Sequence, residues 1–214
     1  INSIISEYVQ VDTPGEGIVP SRQFDISKID FDLLSREFAH TRRKNLLLRD
    51  LDELVNQQLA KMLFANPHRM DYYDRYQEII DAYNAEQNRA TIEKTFMDLM
   101  ELASSLDTEQ QRYVREGFSS DEELSVYDLL FSENLTKQEI ETIKKVSVDL
   151  LTKIKQQIAN LDHWTDKQET KAIVDNLIRN TLWQELPNSY DVSDIQTYQK
   201  KIYEYVYMRY PEVA

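Results

Sequence analysis

From Ile29 onward the apolar positions of this chain recur with the 3.6-residue period of an α-helix. Phe31, Leu34 and Phe38 open the pattern at i, i+3 and i+7. Leu47, Leu51, Leu54, Val55, Met62 and Leu63 mark a second helix, closed by Asn66-Pro67. A third is predicted from about Asp71 to Asn84, with Tyr72, Tyr76, Ile79, Ile80 and Tyr83 on one side. Ile92, Phe96, Leu99, Met100, Ala103 and Leu106 carry a fourth, and a short helix then ends at Gly117, a predicted C-cap.

Beyond Gly117, helix starts are marked by Ser or Thr with Glu or Gln three residues later. The pairs are Ser120/Glu123, Thr136/Glu139, Thr165/Gln168 and Ser193/Gln196. The longest helix is predicted over roughly Lys137 to Leu161, with Ile140, Ile143, Leu150, Ile154, Ile158 and Leu161 in register. Pro187 closes a helix containing Ile173, Val174, Leu177, Ile178 and Trp183, and the last helix, with Ile195, Ile202 and Val206, stops before Pro211. Tyr203, Tyr205 and Tyr207 alternate as in a strand, but Ile202/Val206 and the preceding capping pair favour helix. For Trp164 and Trp183 a core position is the expectation, with an interface anchor as the alternative.

The expected fold is therefore all-α: an irregular multi-helix domain or two packed helical subdomains. Residues 1–28 read as a connector, because Asp12-Thr13-Pro14-Gly15-Glu16-Gly17 and Val19-Pro20-Ser21 are turn chemistry. The helical subdomains are placed at 29–118 and 119–214. Because the chain starts at Ile1 rather than Met, it is read as a piece of a longer polypeptide.

Composition supports this reading. At 214 residues, 41% hydrophobic and 29% charged, the chain can build a core, and only three Gly and five Pro interrupt it. Without cysteine there is no disulfide or thiolate site, which suits a cytoplasmic location. No apolar run approaches the roughly 20 residues that span a bilayer, so no membrane partner is expected.

Catalytic chemistry is hard to place. No G-x-x-x-x-G-K-[ST] or G-x-G-x-x-G loop is present, so no phosphate-cradling cofactor site is expected. His40, His68 and His163 are far apart in sequence and lack metal-ligand spacing. Asp71, Asp74, Glu78 and Asp81 share a helical face at i, i+3, i+7 and i+10, which a hard cation could use. A solvated face opposite the tyrosines is the simpler reading.

The charge pattern holds one reversal. The chain carries a net charge of -13, yet Arg42-Arg43-Lys44 and then Arg49 occur with no acid between Glu37 and Asp50. Such a cluster suits nucleic-acid phosphate or an acidic partner surface. The alternative is a solvated helix end whose cations neutralise C-terminal carbonyls. Lys144, Lys145, Lys153 and Lys155 form a looser group, interleaved with Glu139, Glu141 and Asp149.

The segment Asn66-Pro67-His68-Arg69-Met70-Asp71-Tyr72-Tyr73-Asp74-Arg75-Tyr76-Gln77-Glu78-Ile79-Ile80, followed by Tyr83-Asn84, resembles the C-terminal region of the type I restriction enzyme R protein. Ile29-Asp30-Phe31 through Phe38, Lys44-Asn45-Leu46 and Asp121 through Leu130 resemble it too, with Ser125 where a small apolar residue is expected. The resemblance covers about 26–214 and is looser over Lys171 to Pro211.

It implies a parent that is an ATP-dependent type I site-specific deoxyribonuclease, using ATP and Mg2+ in motor and nuclease domains whose motifs do not occur here. It implies a helical region that docks on the methyltransferase and specificity subunits and helps hold double-stranded DNA. Arg42, Arg43, Lys44 and Arg49 are then the candidate DNA or partner contacts, with no catalytic, cofactor or metal residue in this chain. A free-standing helical interaction domain and a metal-dependent hydrolase built on the Asp71 stripe are the competing readings.

Overall fold

The computed structural model describes residues 29–86 and 88–211; the expected connector 1–28 lies outside the described residues. These residues form α-helices and one 3-10 turn, with no strand among them, so the fold is all-α. Contacts divide the chain into two compact units, 1–63 with 69–111 and 64–68 with 112–214. Gly117 lies inside the second unit.

In the first unit, α1 (Phe31–His40), α2 (Lys44–Ala65), α3 (Met70–Ala85) and α4 (Arg89–Gln110) close around one apolar core. The Asp30 carboxylate caps α1 by accepting from the Leu33 amide at 2.9 Å, and Asn88 caps α4 by accepting from Thr91 at 2.9 Å. Leu34 and Phe38 point inward, and the Phe38 ring stacks on Phe96 at 3.6 Å between centroids. On α3, Tyr76 and Ile79 are buried while Tyr72, Tyr73, Ile80 and Tyr83 pack against the core edge. The predicted helices thus form, each with its apolar face inside.

In the second unit, α6 (Asp121–Leu130) packs on α7 (Lys137–Ala159), α7 on α8 (Gln168–Glu185), α8 on α9 (Val192–Arg209), and α9 returns to α6. Trp164, 1% exposed, plugs this core from the α7–α8 connection. Its Nε1 donates to the Tyr210 carbonyl at 2.6 Å, and Tyr203 and Tyr207 meet it edge-on. The alternating tyrosines are therefore helical. Trp183, by contrast, stands largely in solvent, as does Ile173.

The caps refine the predicted starts. Thr136 and Glu139 form the reciprocal box expected of them. Ser120 accepts from the Glu123 amide, but the Glu123 carboxylate reaches back to the Ser119 amide at 2.7 Å. The other two pairs do not form. Asp191 and Asp194 make the box for α9, because a carboxylate two residues upstream of Ser193 already satisfies the first amides. Thr165 lies in the turn before α8 and bonds the Pro211 carbonyl, leaving Lys167 at the cap position without a side-chain bond.

The short helix α5 (Arg112–Arg115) ends as Gly117 predicts. Gly117 sits at φ +84°, its amide donates to Val114, and the Phe118 amide donates to Tyr113 at 2.8 Å, a Schellman closure. A Cβ at Gly117 would meet nothing within 4 Å, so only the left-handed backbone resists a side chain. Gly117→Ala is expected to cost about 1 kcal/mol, and Gly117→Asn less, read as shifts in the denaturation midpoint.

Candidate nucleic-acid interface

The corner between α1 and α2 is short and tied at both ends. Thr41 caps α1, its amide donating to Glu37 at 2.8 Å, and its Oγ1 accepts from the Arg43 amide at 3.1 Å. The Arg43 carbonyl then accepts from Leu46 and Leu47 in the first turn of α2. The backbone of Arg42 and Arg43 is thus held while both side chains stand in solvent.

Neither arginine makes an ion pair or a side-chain hydrogen bond among the described residues. They follow the C-cap of α1, where the helix dipole favours cations, but their side chains form no hydrogen bond with its last carbonyls among the described residues. They also precede the N-terminus of α2, the positive end of its dipole, where cations are disfavoured. The corner thus lies between the negative end of α1 and the positive end of α2, and the two guanidinium groups face solvent.

Lys44 behaves differently. It lies over the Phe38 ring, 4.7 Å from the centroid, and donates to Glu93 Oε1 at 2.8 Å. The same oxygen accepts from Arg89 Nε at 3.2 Å. Hydrogen bonds from Lys44 and then Arg89 hold the Glu93 carboxyl below the ordinary carboxylate range. Arg89 opens α4, and it lines one shallow depression with Arg42, Arg43, Lys44 and Asn45.

The structure thus brings together three of the four cations expected at this site. Arg49 lies five residues along α2 from Lys44, about 140° around the axis, and pairs with the buried Asp50 at 3.5 Å. Arg89 is the residue that sequence reasoning missed. It is remote from Arg42 along the chain, and its only local signal is the Asn88 cap, which places it at a helix start.

The other sequence candidates resolve as follows. Asp71, Asp74, Glu78 and Asp81 are all exposed, and no His/Cys/Asp/Glu group among the described residues is placed to hold a metal ion. His40 and His163 are exposed; the His68 side chain lies outside what is described. Lys144 pairs with Glu116, Lys153 with Asp149 and Glu185, and Lys155 with Glu122, so these lysines are engaged within the second unit. No described helix is long and apolar enough to cross a membrane.

The recognisable Asn-Pro-x-Arg segment proves architectural. Asn66 is fully buried, and its Nδ2 donates to Asp128 Oδ2 at 2.7 Å. Arg112 grips the same carboxylate with both terminal nitrogens, at 3.0 and 2.8 Å. Pro67 starts the 3-10 turn Pro67–Arg69, where its fixed φ suits a helical start. Arg69 Nε donates to Glu109 Oε1 at 3.1 Å, both side chains being nearly inaccessible. Tyr76 donates to Asp52 at 2.8 Å, and burial, then Asp52, pushes its hydroxyl well above the usual phenol range. Ser125 is buried with Oγ bonded to the Ala65 carbonyl at 2.9 Å, so the hydroxyl is satisfied in an apolar setting.

No curated protein and no solved structure gave a significant match to the chain. A family model described as type I restriction enzyme HindI endonuclease subunit-like, C-terminal, matches residues 17–210. With nearly the whole chain matched, this protein belongs to that family of C-terminal regions of type I restriction endonuclease subunits.

Proposed function

We propose that this chain is a non-catalytic helical module of a type I restriction-modification motor subunit. It docks the subunit on the methyltransferase and specificity core and grips duplex DNA by its backbone during ATP-dependent translocation and cleavage. The observation that carries the DNA reading is the Arg42/Arg43 pair, exposed and without ion-pair partners among the described residues, on a chain of net charge -13. Arginine forks suit phosphate oxygens, and a body otherwise acidic excludes a wide nucleic-acid surface.

ATP and Mg2+ serve other parts of the parent protein in this reading. The sequence holds three glycines and neither G-x-x-x-x-G-K-[ST] nor G-x-G-x-x-G, so it offers no motif that fits a nucleotide. Protein docking is supported by exposed apolar side chains of the second unit, Phe64 under Arg209 at 4.6 Å and the Tyr207-Met208 pair. The cytoplasm is the compartment that this role requires.

The chain is tested by fluorescence anisotropy on two labelled duplexes of unrelated sequence, titrated with salt. Contact with roughly three phosphates gives a slope of log K against log salt near -2.7, or about 40-fold weaker binding between 50 and 200 mM. Equal affinity for both duplexes is expected, since no side chain here is arranged to read base edges. No binding at low salt overturns the DNA reading and moves the basic corner to a protein interface.

A further inference from the structure

We propose that Arg89 is a third phosphate contact of this interface, and that the Glu93 carboxylate partly neutralises the site by holding Lys44 and Arg89 from behind. The inference rests on the DNA-contact reading above. Arg89 and Arg42 are far apart in sequence, yet both line one depression, so the fold gathers cations that local sequence does not.

Arg89 engages Glu93 only through Nε. Its two terminal nitrogens make no hydrogen bond among the described residues, which leaves a fork free for a phosphate. The Arg89 side chain is 85% exposed, so its pair with Glu93 is screened by solvent and yields readily to a competing anion. Lys44 is more enclosed, held between Glu93 and the Phe38 ring, and its charge is the more fully used within the protein. The ligand chemistry is therefore a run of backbone phosphates, met by Arg42, Arg43 and Arg89 around one depression.

Glu93 gives the site an internal anion. Replacing it with glutamine keeps an acceptor for Lys44 and Arg89 but removes the opposing charge, so phosphate binding strengthens. The carboxylate thereby limits grip, which suits a protein that must release DNA as it moves.

The test compares the native chain, Arg89→Gln, Glu93→Gln and Arg42→Gln/Arg43→Gln on one labelled duplex over a salt series, with thermal melts as folding controls. Arg89→Gln is expected to weaken binding uniformly across sequences and make the salt slope shallower by about one. Glu93→Gln is expected to bind more tightly, with a slope at least as steep. Native binding that is lost in Arg42→Gln/Arg43→Gln but unchanged in Arg89→Gln overturns this inference and leaves the DNA reading standing. Weaker binding by Glu93→Gln overturns the neutralising role. A native chain that does not bind overturns both readings.

Discussion

Arg69→Met is expected to cost the first unit about 3–5 kcal/mol, because it leaves the buried Glu109 carboxylate without its guanidinium partner. The size follows from environment. Arg69 is 3% exposed, so water cannot replace the lost hydrogen bond as it would at the surface. A loss of this size approaches the whole stability of a small domain. The unfolding midpoint should fall by on the order of 15 °C.

The control is Arg69→Met with Glu109→Leu, which removes both charges and fills the space with apolar groups. Much of the stability should return, since a buried pair is costly to break but not to replace. A single variant that melts like the native chain would show the pair to be dispensable. A double variant no better than the single would place the cost in packing instead.

Most of the helical body was legible in the sequence because burial writes itself at a helical period. Leu34/Phe38, Leu51/Leu54/Val55 and Ile143/Leu150/Ile154 all point inward as their spacing requires. Gly117 was legible because a positive φ leaves few residue choices. The Thr165 and Ser193 caps were misplaced because Ser and Thr are frequent, and a capping pair is decided by where the first free amides lie. For Trp183 residue type favours the core over an interface anchor, but the buried face of α8 is carried by Val174, Ile178, Thr181 and Leu182.

The site was legible in part. Arg42-Arg43-Lys44 stands out as an unbroken basic run, and the corner that presents it follows from two helices meeting there. Arg89 and Glu93 could not be found in the same way, since only packing within the first unit places α4 beside that corner. The same holds for Arg69 with Glu109 and Arg112 with Asp128: both pairings bridge residues remote in sequence. Text that marks the family was legible as a signature, while its work, to seal buried polar groups, required the structure.

Charge reversal at the corner tests the DNA grip most directly. Arg42→Glu, Arg43→Glu and Lys44→Glu together turn three attractions into repulsions within a Debye length of the duplex. Lys44→Glu also sets a second carboxylate beside Glu93, so Arg42→Gln/Arg43→Gln serves as the milder variant that keeps this contact. Anisotropy with a labelled duplex at 50 mM salt should show loss of binding, on the order of 100-fold or more, in the triple variant. The double variant should retain weak binding with a salt slope shallower by about two. Duplex affinity and slope unchanged in a folded triple variant would contradict a DNA grip at this corner.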